Sequence, residues 1–298
     1  MIRYFLFKLI RRLVLVLPRK WSYWIGSRIA EIDYILKRKL RNAVKANLLQ
    51  IMLFCNPEKV NEIELSKQAK AVFKNFSKYL VDFFFFAHLD GDEIQKYVKV
   101  KGLHNMQDAF KKKNGVIGLT AHIGNWELCG FITSHFGFNV NAVALSHENT
   151  KINRLFVNQR LAKGINVIPV GSSFNKYLEV LRKNQLIALV GDRLTSDAGI
   201  EVDFFGKQTV IPKGPAVLSL RTGAPIVPAF MIRNSDDTFN CIFEEPIDPL
   251  EFKNQSGDEI RSLSEQIVSI MEKHIRENPA QWFLFYDFWA KKQKEETA

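Results

Sequence analysis

GVIGLTAHIGNWELCGFITSHFG, residues 115–137, decides how the rest of the chain is read. GVIGLT is an apolar run of strand length, and NWELCGFITSHFG reads as a helix with Asn125 as its N-cap and Gly137 as its stop. The join between them carries His122, which places it just past the strand's C-terminal end, where open α/β sheets form their ligand crevice. Glu127 follows in the first helical turn, and the tight turn is expected to fold its carboxylate back onto the imidazole. A carboxylate on one ring nitrogen fixes the tautomer and stabilises the imidazolium, which makes a histidine a directed general base. The macrodipole alone also favours an acid in a first helical turn, by roughly 0.3–1 kcal/mol. The strand-end position and the small neighbours Ala121 and Gly124 tip the reading toward catalysis.

The same texture extends in both directions from about residue 97. Strand-like runs YVKVKG, GVIGLT, NAVALS, INVIPV, QLIALV and PIVPAFMI alternate with helix-like stretches at about 103–113, 125–136, 150–163, 173–184 and 215–222. Such alternation predicts an α/β domain with a largely parallel sheet. IRSLSEQIVSIMEKHIREN predicts a long C-terminal amphipathic helix, and the tail KKQKEETA is expected to fray. Residues 1–90 read as mostly helical, so the division expected is a helical region over 1–90 and an α/β domain over 91–298.

Charge and cysteine usage narrow the class. The net charge is +11, and residues 1–50 hold twelve Lys plus Arg against only Glu31 and Asp33. An anionic partner is implied, and the greasy start MIRYFLFKLIRRLVLVLP favours an acidic membrane surface over nucleic acid. On a helix, Lys8, Arg11, Arg12, Leu15 and Arg19 share one side while Leu6, Leu9, Ile10, Leu13 and Leu17 share another, the pattern of a helix lying in the interface. The competing readings are a basic helix packed on the protein's own core and a tilted spanning helix, a single N-terminal anchor, with snorkelling arginines. Three cysteines, well separated in sequence, make no disulfide framework and point to a reducing compartment. No H-E-x-x-H and no clustered histidines are present, so no metal is expected. No G-x-S-x-G elbow is present either, so His122 is expected to act on a nucleophile that the substrate supplies.

A second cluster spans residues 190–230. Asp192 and Arg193 follow the strand QLIALV and face the same crevice edge as His122. GIEVDFFG alternates like an exposed strand with Glu201 and Asp203 on one face, and Lys213 with Gly214 precedes a helix whose N-terminus suits an anion.

These residues resemble a known family. AHIGNWE is similar to the H-x4-D/E motif of the lipid A biosynthesis (lauroyl/myristoyl) acyltransferases. DRLTSDAGIEVDFFGKQTVIPKGPAVLSLRTGAPIVP resembles their central block, and NPAQWFLFYDFW their C-terminal P-x-Q-W ending. The resemblance implies a glycerolipid-acyltransferase-type sheet flanked by helices, with a membrane-associating helical N-terminal region on the cytoplasmic face of the inner membrane. It implies transfer of a fatty acyl chain from an acyl-carrier-protein or acyl-CoA thioester to a hydroxyl of a membrane glycolipid, without a cofactor. It matches His122 to the general base and Glu127 to its orienting acid, and Arg160 in NQRLAKG to an arginine of the middle region. Glu201 resembles a site glutamate of the mannoside acyltransferases. Arg193 is then a candidate oxyanion donor, and Arg160 and Lys213 candidates for phosphate. A lipid A precursor is the first acceptor implied. FLFYDFW lacks the family's His-Arg-Arg, however, and GDRLTSDAGIEVDFFG looks as much like the mannoside branch. A mannoside-type glycolipid, a lysophospholipid or glycerol phosphate therefore stand as alternatives, with a non-enzymatic membrane-binding protein as the remaining rival.

Overall fold

The computed structural model describes residues 2–195, 198–253 and 258–290, and only the backbone of residues 2–6. The tail KKQKEETA (291–298) lies outside the described residues. Four helices come first: α1 (Ile2–Val16), α2 (Arg19–Leu36), α3 (Arg38–Cys55) and α4 (Glu62–Phe85). Then α5 (Gly91–Gln95), β1 (Val98–Lys101), α6 (Leu103–Lys111), β2 (Val116–Thr120), α7 (Trp126–His135) and β3 (Val140–Ala144) lead into the alternating region. It continues through α8 (Thr150–Leu161), β4 (Ile165–Pro169), α9 (Phe174–Arg182), β5 (Leu186–Val190) and the hairpin β6 (Gly199–Phe204) and β7 (Lys207–Pro212). The last elements are α10 (Gly214–Thr222), β8 (Ile226–Arg233), β9 (Phe239–Phe243) and α11 (Glu259–Glu277).

Seven strands form one sheet in the order β1-β9-β8-β2-β5-β3-β4. The five from β8 to β4 run parallel, β9 turns back antiparallel to β8, and β1 follows β9. The sheet is thus the α/β sheet flanked by helices that the alternation predicts. Its central strands are apolar on both faces because helices cover both, which is why Val116, Ile117 and Leu119 of β2 form an unbroken apolar run. β7 and β9 are strands that the sequence texture did not single out. Both are too mixed to stand out: KQTVIP opens with three polar residues, and Asn240 interrupts FNCIF.

The N-terminal helices are tied to the sheet by a buried ionic cluster. Asp82 of α4 accepts from the Tyr23 hydroxyl of α2 and pairs with Arg233 at the end of β8, and Arg233 Nη1 donates to Tyr23 Oη at 3.0 Å. Arg19 corrects the reading that put it on a lipid-facing basic stripe. Pro18 ends α1, so Arg19 opens a new helix, and its guanidinium lies 4.7–5.6 Å from the rings of Tyr23, Phe85, Phe86 and Tyr97. α1 divides its apolar residues. Phe7, Ile10 and Val14 pack with Phe84 and Phe156, while Leu9, Leu13, Leu15 and Val16 are exposed. No helix of the described residues is long and apolar enough to cross a membrane. Phe83, Phe84, Phe86, Phe204 and Phe205 are fully buried core. Cys129 of α7 and Cys241 of β9, distant in sequence, meet with their sulfurs 3.9 Å apart and remain free thiols.

Candidate active site

Register explains how the site forms. β2 and β5 are parallel neighbours with Thr120 opposite Val190, and the ladder extends one step as Gly191 N–H donates to Thr120 O at 2.8 Å. Residues 122 and 192 are therefore each two positions beyond the last pair. There His122 Nδ1 meets Asp192 Oδ1 at 2.7 Å, and the His122 backbone N–H donates to Asp192 Oδ2 at 2.9 Å. Gly124, at φ +60°, turns the chain so tightly against β8 that a Cβ there would lie 1.9 Å from Met231 O. Asn125 N–H then donates to Met231 O at 2.8 Å, and the Asn125 side chain accepts from Leu128 N–H at 3.0 Å to cap α7.

Burial alone would push the Asp192 carboxyl up. The His122 ring, its two hydrogen bonds and the Trp282 indole outweigh that and hold the carboxyl below its usual range. An ionised Asp192 only accepts, so Nδ1 of His122 carries the hydrogen and Nε2 presents its lone pair. The His122 side chain keeps 21% of its surface exposed, whereas that of Asp192 has none. Trp126 stands edge-on to the imidazole at 5.1 Å between centroids and stacks on Tyr79 of α4 at 4.3 Å.

The expected contact between Glu127 and His122 gives way to a different pairing. Glu127 leaves the first turn of α7 toward α8, where Arg160 in the last turn forks onto both its oxygens, Nε to Oε2 at 3.0 Å and Nη2 to Oε1. An acid at a helix start and a base at a helix end are each placed favourably by the helix dipoles. Burial disfavours the Arg160 charge, and Glu127 beside it more than restores it. The carboxylate on the imidazole is Asp192 instead. The chain carried a signal for that: GVIGLT-Ala-His and QLIALV-Gly-Asp place the two polar residues at the same offset from two strand ends.

The other candidates are dispersed. Arg193 lies 5.8 Å from the Tyr286 ring beside the pair, while Asp192, next to it, spends its oxygens on His122 and Trp282. Glu201 is exposed on β6, its backbone carbonyl accepting from Arg261, and Lys213 precedes α10. Among the described residues, no hydrogen bond or ion pair joins Glu201 or Lys213 to the His122–Asp192 or Glu127–Arg160 pairs. Trp282 was not singled out from the sequence as a site residue. Its Nε1 donates to Asp192 Oδ2 at 2.8 Å, from a C-terminal segment bridged to the His122 loop through Ile123 and through Phe283 N–H to His122 O at 2.8 Å. Among the described residues no group of three or more His, Cys, Asp or Glu is placed to hold a metal ion.

Just beyond the ends of two parallel strands the sheet thus carries a histidine oriented by a buried carboxylate, and among the described residues no serine or cysteine is hydrogen-bonded to its ring. The family model described as bacterial lipid A biosynthesis acyltransferase matches residues 1–291, and the chain belongs to that family. It is an acyltransferase. Among its relatives, a phosphatidylinositol mannoside acyltransferase of Mycolicibacterium smegmatis is 25% identical over 226 residues, which cover 74% of this chain and 71% of the relative. A protein of the same description from Mycobacterium tuberculosis is 27% identical over 202 residues, 64% of this chain and 59% of the relative.

Proposed function

We propose that the chain transfers a fatty acyl group from an acyl-carrier-protein or acyl-CoA thioester to a hydroxyl of a membrane glycolipid, with His122 as general base. The observation that carries this reading is the 2.7 Å bond between His122 Nδ1 and a buried, ionised Asp192. Nε2 takes the proton of the acceptor hydroxyl as its oxygen attacks the thioester carbonyl. Asp192 stabilises the imidazolium, the C–S bond of the tetrahedral intermediate breaks, and the imidazolium returns the proton to the leaving thiolate. Ester and free thiol result. Base catalysis of this kind is worth roughly 10²–10⁴-fold. Arg193 and the backbone N–H groups past β5 are the candidate oxyanion donors. Glu127 acts at one remove in this scheme. It holds Arg160 in place, and with it the N-terminal turn of α7 that carries the His122 loop.

A lipid A precursor is the first acceptor, from the family's description, and a mannosylated phosphoinositide the second, favoured by the names of the relatives. Residues 1–90 form the membrane seat and residues 91–298 the catalytic part, working at the cytoplasmic face of the inner membrane. The α2 surface supports that seat: Trp21 and Trp24 are 62% and 58% exposed, and Ile32, Ile35 and Leu36 continue the apolar exposure beside Lys20, Arg28, Lys37 and Arg38. A mass-spectrometric transfer assay with acyl-carrier-protein and CoA donors tests the whole scheme. Its acceptors are a lipid A precursor, a mannosylated phosphoinositide and a lysophospholipid. One acceptor gains one acyl mass with the wild type and none with His122→Ala. Transfer by His122→Ala at more than a few per cent of the wild-type rate removes the base assignment.

A further inference from the structure

Asp192 has three donors on two oxygens. His122 Nδ1 reaches Oδ1, while the His122 backbone N–H and the Trp282 indole Nε1 share Oδ2. Rotation of the carboxylate therefore breaks the contact to the ring together with two others. Trp282 is itself 3% exposed, packed edge-on by Phe204, Phe288 and Trp289. Its backbone is pinned as well. Gln281 O accepts from Gly124 N–H at 2.9 Å, and the Gln281 side chain exchanges two 2.9 Å bonds with the backbone of Arg233. Arg233 belongs to the buried cluster with Asp82 and Tyr23, and Asn125 Nδ2 lies 3.4 Å from the same Asp82 carboxylate. The C-terminal segment thus stands between the sheet's anchor to the N-terminal helices and the base.

We infer that Trp282 is a positioning residue for the transfer reaction, its indole N–H fixing the Asp192 carboxylate in the orientation that directs Nε2 of His122 at the acceptor hydroxyl. The inference rests on the proposed role of His122. The charged and titratable groups around the pair are Arg193 and Tyr286 on the Asp192 side. Beyond Trp126 on the other side lie Glu127, Arg160 and Tyr79. None of these donates a hydrogen bond to Asp192, so the indole is the one side-chain donor to it besides His122 among the described residues.

The test replaces Trp282 with 3-benzothienylalanine, which keeps the two-ring outline and exchanges N–H for sulfur, with Trp282→Phe as a second variant. Full-length protein labelled with 15N in histidine is read in two ways. In transfer assays kcat falls about tenfold or more while KM stays within about twofold, the loss expected for one hydrogen bond to a charged group. In NMR spectra the Nδ1–H resonance of His122 weakens through faster exchange. An unchanged kcat, or an unchanged Nδ1–H resonance in the sulfur analogue, overturns the inference. If Trp282→Phe does not fold, the sulfur analogue decides. If the wild type transfers no acyl group, the proposed function has failed by itself, and the resonance still decides the role of the indole.

Discussion

Two side-chain pairs sit within a few residues of each other and do different work. In the proposed mechanism His122–Asp192 handles the proton. Asp192→Asn keeps the shape but removes the charge and turns one acceptor oxygen into a donor, so kcat is expected to fall by roughly 10²-fold or more with KM little changed, measured by steady-state transfer kinetics. The same substitution has a signature in stability. The folded protein holds the Asp192 carboxyl below its ordinary value, so the unfolded chain binds that proton more readily. The contribution is complete above the unfolded value of about 3.9 and is lost as pH falls further toward the folded one. Unfolding free energies from about pH 3 to about pH 5 should rise more steeply for the wild type than for Asp192→Asn. Glu127–Arg160 is a structural clamp, with side chains 8% and 13% exposed. Glu127→Ala strands a guanidinium, at a cost of about 3–5 kcal/mol. A double-mutant cycle in denaturant should find Glu127 strongly coupled to Arg160 and weakly to His122. Equal coupling to His122 would restore the direct dyad that the motif's spacing suggests.

The elements around the site were largely legible in the sequence, and the contacts between them were not. Periodicity and turn residues place β2, α7, β5, α10 and α11 to within a residue or two, because each is fixed by local rules: apolar runs, the Asn125 cap, Pro215 and Gly223. Which acid meets His122 depends on the pairing of β2 with β5, seventy residues apart in the chain, and on the direction in which α7 turns Glu127 toward α8. Neither is a local property. The role of Trp282 was hidden for the same reason, since a tryptophan in NPAQWFLFYDFW reads first as core, and core is where its ring lies. The turn between β2 and α7 gives the sharpest test at this scale. Gly124→Ala forces a methyl against the Met231 carbonyl in a left-handed conformation, and the acceptor there is backbone that cannot swing aside. A lowered Tm and loss of transfer are expected together, checked by calorimetry and by the mass-spectrometric assay.

The molecule as a whole places its charge and its grease at one end of the chain. α1 and α2 carry exposed Leu9, Leu13, Trp21, Trp24 and Ile35 among basic residues, and α2 packs extensively along α4, whose Asp82 anchors the sheet. Replacing Trp21 and Trp24 together by Ala should weaken sedimentation with vesicles containing phosphatidylglycerol several-fold and leave Tm nearly unchanged, since both rings lie mostly in solvent. Raised salt should weaken wild-type binding further, as screening of the basic flank requires. An unaltered vesicle affinity would move the membrane seat elsewhere. The strand of contacts from residues 281–283 to the His122 loop has one more consequence, for the order of events during synthesis. The helices of residues 2–55 leave the ribosome early, whereas the indole that grips Asp192 emerges only after α11 is complete. Under the proposed membrane seat, translation separates delivery from chemistry: a nascent chain can reach the bilayer while the Asp192 carboxylate still lacks its indole donor.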